Sequence, residues 1–285
     1  MTNGAPSVSE KSIGDIIRQS NNLSADQVEK ILVYQRENNL KFGEAAVALG
    51  FVKREDVLWA LSQQFHYPYN GSQSQAISEE LVVASKPFSE TAEAFRDLRS
   101  QLISTVFSGE GPRKAVAVIS AEAGDGKSFF AANIAVAFSQ LGGRTLLVDA
   151  DMRSPRQHEI FGVQNSTGLS SILSGRAETN VIRPVGDLPS LYLLPVGVVP
   201  PNPLELVQRP AFGLLITELL SKFDYVVVDT PAATHGSDAR VITGFCGAAV
   251  AIGRKGNSKI QGMQKLINAV QKSSAKVLGV IMNEH

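Results

Sequence analysis

The sequence predicts an α/β fold in which helices cover both faces of a mostly parallel sheet, preceded by a small all-α module. Six apolar runs of strand length follow residue 114, at 115–120, 145–149, 191–196, 225–229, 247–252 and 277–282. Stretches with helical spacing separate most of them, at 127–141, 210–221, 236–244 and 258–274. Continuous apolar strands that alternate with helices are typical of parallel sheets buried on both faces.

Length and composition fit a globular protein of one large or two domains. The chain has 285 residues, of which 44% are hydrophobic and 19% charged. Its 27 basic and 27 acidic residues cancel, so nothing indicates a nucleic-acid partner. The single Cys246 excludes an intramolecular disulfide. Residues 1–11 are polar and predicted to be disordered, without a signal-peptide pattern, and we expect a cytoplasmic protein.

The segment before the α/β region contains an internal repeat with an offset of 29 positions. Gly14 aligns with Gly43, Leu32 with Leu61, and Gln35 with Gln64. Each copy is predicted to form a short helix, a turn and a longer helix, and two copies would stack into a helical module spanning residues 12–70. A Gly/Ser/Gln-rich stretch then predicts a linker at 71–87, and the second domain is expected to span 88–285.

The stretch 115–128 has the pattern of a phosphate-binding loop between a strand and a helix. Gly124 and Gly126 allow the backbone to bend and approach a ligand closely, and the following helix offers free N–H groups to phosphate oxygens. Lys127 is suited to reach the β- and γ-phosphates, and the Ser128 hydroxyl to bind Mg²⁺.

The match to the P-loop consensus is imperfect, because Ala121 stands where the strict pattern has glycine. Taken alone, the stretch is also compatible with a glycine-containing turn between two buried elements.

Carboxylates end two of the predicted strands. Asp149 and Asp151 follow the second apolar run, and Asp229 ends the fourth. One such aspartate could simply start a turn or cap a helix. Three of them beside Lys127 and Ser128 predict a magnesium-nucleotide site beyond the carboxyl ends of the strands.

An amphipathic helix is predicted over residues 89–108, with Ser89 as its N-cap. Glu93, Arg96 and Arg99 are spaced three residues apart on its polar side. From spacing alone, they would form an ordinary surface of i,i+3 ion pairs.

Several motifs together resemble the bacterial tyrosine kinases, which are P-loop proteins unrelated in fold to eukaryotic kinases. The resemblance covers residues 88–285 and rests on these elements: the P-loop lacking its first glycine, Asp149-x-Asp151-x-Arg153, the run ending in Asp229-Thr230-Pro231, Glu93-x-x-Arg96-x-x-Arg99, PPNPLEL at 200–206, and Arg153-Ser154-Pro155 followed by Phe161-Gly162 and Gly168-Leu169-Ser170. The module before it resembles the N-terminal domains of type II secretion ATPases. The combination is similar to kinases of the EpsG type from exopolysaccharide chain-length systems.

The resemblance implies roles for individual residues. ATP would be bound by Ala123, Gly124, Asp125, Gly126, Lys127, Ser128 and Phe129, with Arg254 and Asn283 facing the nucleotide. Mg²⁺ would be held by Ser128, Asp149, Asp151 and Asp229, and the catalytic residues would be Lys127, Asp149 and Asp151. Asp149 would serve as base on a tyrosine hydroxyl or hold a metal-bound water. Glu93, Arg96 and Arg99 would form the subunit contact of a ring-like homo-oligomer.

It also implies a function. The chain would be an ATP-dependent protein-tyrosine kinase, acting on itself or on other proteins, that regulates exopolysaccharide chain length and export. Its partner would be a membrane-embedded chain-length determinant, whose cytoplasmic tail activates the kinase and recruits it to the inner membrane. Members of the family usually end in a tyrosine-rich tail that is their own phosphorylation target, whereas the given sequence ends directly after the last predicted strand. Either the tail lies outside the given sequence, or autophosphorylation uses another site, or kinase activity is weak; Tyr67 and Tyr69 beside the linker are the acceptors predicted to be flexible.

Two other functions are compatible with parts of the sequence. The first is an ATP-binding switch of the MinD/ParA type without kinase activity, although Glu122 stands where that class has a signature lysine. The second is regulation by cyclic di-GMP bound to residues 12–64. There, Ser12 and Lys41 replace the arginine that opens each repeat in the dinucleotide-binding relatives.

Overall fold

The chain folds into two compact units, Met1–Gln75 and Ala76–His285. The computed structural model describes residues 12–64, 78–108, 111–176, 180–186 and 188–284. Each unit has apolar core residues of its own.

The first unit is all-α in its described part, as the repeat predicts. Its helices are α1 (Ile13–Ser20), α2 (Ala25–Asn38), α3 (Phe42–Ala48) and α4 (Arg54–Gln64). Serine side chains cap the first two, since Ser12 accepts a hydrogen bond from the Asp15 N–H and Ser24 accepts one from the Gln27 N–H. The helices enclose a small apolar core that includes Ile17, Leu23, Ile31, Ala45, Ala46, Val52 and Ala60.

The second unit is an α/β domain. Its strands are β1 (Ala115–Ser120), β2 (Thr145–Asp149), β3 (Arg183–Val185), β4 (Leu188–Leu194), β5 (Tyr225–Asp229), β6 (Gly247–Arg254) and β7 (Lys276–Asn283). Its helices are α5 (Val82–Ser85), α6 (Glu90–Leu102), α7 (Lys127–Ser139), α8 (Gln157–Ile160), α9 (Leu169–Leu173), α10 (Pro203–Val207), α11 (Pro210–Lys222), α12 (Asp238–Cys246) and α13 (Ile260–Gln271).

Within the described residues, the strands form one sheet in the order β3-β4-β2-β5-β1-β6-β7. All neighbours are parallel except β3 and β4. The mostly parallel sheet predicted from sequence is therefore confirmed. Strand β3 was not predicted, because its three residues Arg183–Val185 carry no apolar run, and its pairing with β4 shifts register between Pro184 and Val185.

Apolar side chains on both faces of the sheet create two core layers. In β1, Ala115, Ala117 and Ile119 belong to one layer, whereas Val116 and Val118 belong to the other. This alternation follows from the two-residue period of a strand. Because both sets are buried, β1 reads as a continuous apolar run, the pattern from which the fold class was predicted.

The predicted helix at 89–108 consists of two parts. Ser89 caps it as expected, and regular α-helix α6 ends at Leu102. Residues Ile103–Phe107 continue as one turn of π-helix, a widening that hydrophobic periodicity does not reveal.

Residues 78–87, assigned to the linker from their composition, pack on α7 in the structure. The buried Asn133 of α7 makes this connection. Its Oδ1 accepts a hydrogen bond from the Val83 N–H at 3.1 Å, and its Nδ2 donates to the carbonyls of Glu80 at 2.8 Å and Phe129 at 2.9 Å. One amide thereby fixes the segment before α6 to the helix that follows the P-loop.

Replacement of Asn133 by Ala is expected to lower the free energy of unfolding by about 1–3 kcal/mol, because it leaves the buried Val83 N–H and the Glu80 carbonyl without partners. Urea unfolding followed by circular dichroism measures this change. The exposed Asn268 of α13 offers a control, and Asn268→Ala should stay within about 0.5 kcal/mol of wild type. Equal stability of Asn133→Ala and wild type would contradict the assigned role.

Cys246 closes α12 and is completely enclosed by the core layer of α11, α12 and α13. Burial raises the pKa of its thiol well above the ordinary value, so the thiolate is disfavoured. No helix in the described parts of the chain combines the length and the apolar character needed to cross a membrane.

Candidate active site

The loop between β1 and α7 has the backbone geometry of a phosphate-binding loop. Gly124 and Gly126 both adopt left-handed conformations, with φ of 83° and 95°. Gly126 is also the N-cap of α7, and a Cβ atom there would clash with Nδ2 of Asn283. The positive φ favours glycine at this position, and a side chain there would also displace the Asn283 amide from the loop.

Asp125, predicted to bind ATP, stabilises the loop from inside. Its side chain is completely buried, with Oδ2 accepting from the Glu122 N–H at 3.1 Å and Oδ1 accepting from the Ser258 hydroxyl at 2.7 Å. The Ser120 hydroxyl adds a bond to the Glu122 carbonyl at 2.7 Å. Because both carboxylate oxygens are engaged, we expect any contact of Asp125 with a nucleotide to come from its main chain.

The two residues predicted to face the nucleotide both lie against this loop. Nδ2 of Asn283, at the end of β7, donates to the Asp125 carbonyl at 3.3 Å. Nη1 of Arg254, at the end of β6, lies 3.5 Å from the Gly124 carbonyl oxygen. The carboxyl ends of β6 and β7 are thus brought to the P-loop, although the residues are about 130 to 160 positions apart in sequence.

A cavity of about 230 Å³ opens at the start of α7. Its lining includes predicted residues and others that sequence reasoning missed: Ala123, Gly124, Gly126, Lys127, Ser128, Phe129, Asp151, Ser154, Arg156, Ala232 and His235. Lys127 is only 6% exposed. Motif reading missed Arg156 and His235 because a single exposed cation or imidazole outside a motif carries no chemical signal of its own.

The carboxylates of Asp149 and Asp229 end neighbouring strands and are direct partners in the register of β2 and β5. Both are completely buried. Asp149 accepts three backbone hydrogen bonds, from Asp151 at 3.2 Å, Arg156 at 3.2 Å and Gln157 at 3.0 Å. This network holds Asp149 in one orientation beside the P-loop.

Burial raises the pKa of both carboxyls. For Asp149 the pKa lies well above its ordinary value, first because of burial and second because of the neighbouring charge of Asp229. For Asp229 burial raises the pKa to about 6, although the nearby Ser128 hydroxyl, the Gln157 amide and the Lys127 ammonium group all oppose the rise. The pair therefore carries an electrostatic cost that a bound cation would relieve.

Asp151 differs from this pair because it is one of the residues that line the cavity. Its Oδ1 accepts from the backbone N–H groups of Arg153 at 3.1 Å and Ser154 at 2.9 Å. The loop after β2 therefore holds the Asp151 carboxylate in one orientation at the wall of the cavity.

The donor set suits Mg²⁺ bound together with a nucleotide. Oδ1 of Asp229 is buried and accepts no hydrogen bond from the described residues. It is a hard oxygen donor, as is the hydroxyl of Ser128 beside it. Within the described residues, no three His, Cys, Asp or Glu side chains converge on one ion. Mg²⁺ does not require such a cage, because it usually takes one or two protein carboxylates together with phosphate oxygens and waters.

Comparison with known proteins identifies the family. Residues 111–285 match the family model described as ParA, NUBPL iron-transfer P-loop NTPase. Tyrosine-protein kinase CpsD of Streptococcus agalactiae is 33% identical over 195 residues, which cover 68% of this chain and 83% of CpsD. The chain belongs to the bacterial tyrosine kinases.

Two solved structures agree with this assignment. The chimerical protein CapA2B2 is 34% identical, with a TM-score of 0.68, covering 79% of this chain and 97% of the chimera. The kinase domain of the Escherichia coli tyrosine kinase ETK is 28% identical, with a TM-score of 0.69, covering 74% of this chain and 82% of that domain. The P-loop NTPase fold predicted from the sequence is confirmed.

The bacterial tyrosine kinase motif on α6 makes contacts within its own chain. Arg96 pairs with Glu93 at 2.6 Å and also donates to the Pro87 carbonyl. Arg99 donates to the Ala137 carbonyl of α7 at 2.7 Å. Glu93 remains exposed, with 74% of its side chain accessible. A subunit contact through these residues stays a prediction.

The described tyrosines of this bacterial tyrosine kinase are all half-buried. Tyr225 stacks on Phe138 with ring centroids 4.6 Å apart, and Tyr192 packs edge-on against Phe223 at 5.4 Å. Tyr34 packs against the core of the first unit. The predicted flexible acceptors, Tyr67 and Tyr69, lie outside the described residues.

The positions compared with cyclic di-GMP-binding repeats are helix starts in this structure. Ser12 is the N-cap of α1, and its hydroxyl accepts a hydrogen bond from the Asp15 N–H at 3.2 Å. Lys41 is the N-cap of α3, and its N–H donates to Glu44 Oε2 at 2.9 Å. Binding of the dinucleotide stays a prediction.

Proposed function

We propose that this protein is a protein-tyrosine kinase that uses ATP and Mg²⁺. The observation that carries the proposal is the meeting of the P-loop lysine and Asp151 at one cavity, with the buried carboxylates of Asp149 and Asp229 at the adjacent strand ends, in a chain of the bacterial tyrosine kinase family. Phosphoryl transfer depends mainly on positioning and on stabilisation of charge. A buried ammonium group facing fixed carboxylates provides both.

Each residue has a role in this proposal. The backbone N–H groups at the start of α7 and the Lys127 ammonium group hold the phosphates and stabilise the charge that develops on them. Ser128 and Asp229 would hold Mg²⁺, which would supply positive charge to neutralise the phosphates. The Asp149 carboxylate, held in place by three backbone N–H groups, adds negative charge beside this site.

Proton removal from the acceptor needs a carboxylate close to the cavity, because a tyrosine hydroxyl has a pKa of about 10. The motif resemblance favoured Asp149 for this role. We assign it to Asp151, which lines the cavity, because three backbone N–H groups occupy the carboxylate of Asp149.

The proposal extends to polysaccharide export. The motif resemblance supports a kinase that regulates exopolysaccharide chain length together with a membrane-embedded determinant, whose cytoplasmic tail would activate the kinase and bring it to the inner membrane. It also supports a ring-like homo-oligomer formed through Glu93, Arg96 and Arg99.

Incubation of the full chain with ATP and Mg²⁺, followed by mass-spectrometric mapping, tests the proposed function. We expect phosphotyrosine on this chain or on an added protein substrate, and none when EDTA replaces Mg²⁺. If no tyrosine is phosphorylated, even with the cytoplasmic tail of the membrane partner present, the kinase proposal is wrong.

A nucleotide switch without kinase activity is the second candidate, and the match to the ParA model favours it. Glu122 replaces the signature lysine of that class, and its N–H is engaged with Asp125 inside the loop. ATP hydrolysis stimulated by a partner, without phosphotyrosine, would support the switch. Calorimetric titration of the full chain with cyclic di-GMP tests the separate prediction for residues 12–64.

A further inference from the structure

Gln157, the first residue of α8, connects the separate parts of the candidate magnesium site. Its side chain is completely buried. Its Nε2 donates to Asp229 Oδ2 at 2.7 Å and to the Ser128 carbonyl at 3.0 Å. Its backbone N–H donates to Asp149 Oδ2 at 3.0 Å. One residue thus touches the ends of β2 and β5 and the first turn of α7.

The contacts fix the orientation of the amide. Both partners of Nε2 are pure acceptors, a carbonyl and a carboxylate oxygen, so only the NH₂ end of the amide can face them. Oε1 then points to a buried position where none of the described residues donates to it. A buried acceptor without a donor costs desolvation free energy. The amide keeps this orientation despite that cost, so the two hydrogen bonds of Nε2 are the contacts that determine it.

The same contacts decide which oxygen of Asp229 is available. Because Gln157 occupies Oδ2, the carboxylate cannot rotate without losing a 2.7 Å hydrogen bond. Oδ1 is left without a hydrogen bond from the described residues. The bond to the Ser128 carbonyl joins this oriented carboxylate to the turn that carries the Ser128 hydroxyl.

We infer that Gln157 is a positioning residue for the divalent-cation site. Its side chain orients the Asp229 carboxylate and fixes its position relative to Ser128. The inference rests on the proposed function, since it concerns the same nucleotide site. Residues that orient metal ligands through hydrogen bonds typically contribute 10- to 100-fold to metal affinity. Gln157 is not itself among the residues that line the described cavity, so it is placed to act on the site through Ser128 and Asp229.

Isothermal titration calorimetry with ADP tests the inference, with ADP titrated in EDTA and at a series of Mg²⁺ concentrations. Gln157→Met keeps the length of the side chain and removes its donor. We expect its affinity for ADP in EDTA to stay within about twofold of wild type, while the Mg²⁺ concentration for half-maximal enhancement rises about 10- to 100-fold.

Asn133→Ala is the matched control, because Asn133 is an equally buried amide that donates only to backbone carbonyls. Its stability should fall, whereas its Mg²⁺ dependence should match that of wild type. A purely structural role for Gln157 would give the same result in Gln157→Met.

A second variant, Gln157→Asn, guards against misfolding of Gln157→Met. It retains an amide but is one methylene shorter, so it cannot span both acceptors, and its Mg²⁺ requirement should also rise. Circular dichroism establishes that each variant is folded.

The outcomes separate the two proposals. Wild-type Mg²⁺ dependence in a folded Gln157 variant would overturn the positioning role and leave the proposed function intact. Failure of the wild-type chain to bind ADP under any condition would instead overturn the proposed function.

Discussion

Substitution of Lys127 by Met should lower the rate of phosphotyrosine formation by a factor on the order of 10²–10³. Lys127 is 6% exposed, opens α7 and lines the cavity at the P-loop. Its ammonium group acts in surroundings of low dielectric constant, where charge stabilisation is strong. Methionine retains most of the side-chain volume and removes the charge.

Quantitative mass spectrometry of phosphotyrosine over time measures this loss. Lys222→Met provides the control, since Lys222 is an exposed lysine of α11 that pairs with Glu218 on the same helix. The control should phosphorylate at the wild-type rate. Undiminished phosphorylation by a folded Lys127→Met protein would show that the cavity at the P-loop is not the active site.

Substitution of Asp229 by Asn should stabilise the nucleotide-free protein at pH 7. It should also abolish the enhancement of ADP binding by Mg²⁺. The folded state raises the pKa of Asp229 from 3.8 to about 6. The folded state therefore binds more protons than the unfolded state within this window, so wild-type stability decreases as the pH rises from about 4 to about 6. Asparagine cannot ionise and avoids this cost, which also includes repulsion with Asp149.

The expected gain at pH 7 is about 1–3 kcal/mol, since one unit of pKa corresponds to about 1.4 kcal/mol and the buried amide retains some cost of its own. Urea unfolding in EDTA from pH 4 to 8 measures it. The difference between variant and wild type should widen across pH 4–6 and then remain constant.

The exposed Asp97 of α6 offers the matched control, and Asp97→Asn should follow the wild-type pH profile. A destabilised Asp229→Asn protein at pH 7 would contradict the electrostatic account. So would a normal Mg²⁺ response of Asp229→Asn in ADP binding.

The elements that the sequence predicted well are those in which the pattern of apolar residues follows directly from burial. Strands such as β1 and β5 are buried on both faces, so they appear as continuous apolar runs. The P-loop could be predicted equally well, because Gly126 adopts a positive φ and Lys127 follows it at fixed spacing. At these positions the structure is determined by residues that are adjacent in the sequence.

The features that the sequence did not predict depend on contacts between distant segments. A glutamine at the start of a short helix gives no sign that it meets Asp229, which lies 72 residues further along the chain. The ion pair of Arg153 with Asp238, at 3.1 Å, spans 85 residues. Asp125 was assigned to the nucleotide because of its place in the motif, whereas its side chain bonds to Ser258, 133 residues away.

The enclosed cysteine of α12 makes the stability of this domain accessible to simple chemistry. Because Cys246 is the single thiol of the chain, an aromatic disulfide reagent reports on one position only. Reaction requires transient opening of the layer around α12, so the rate of colour formation measures how often that layer opens. Any compound that binds only the closed form slows the reaction by the factor 1 + [L]/Kd. Unlabelled nucleotides, metal ions and candidate effectors could thus be ranked by thiol protection alone.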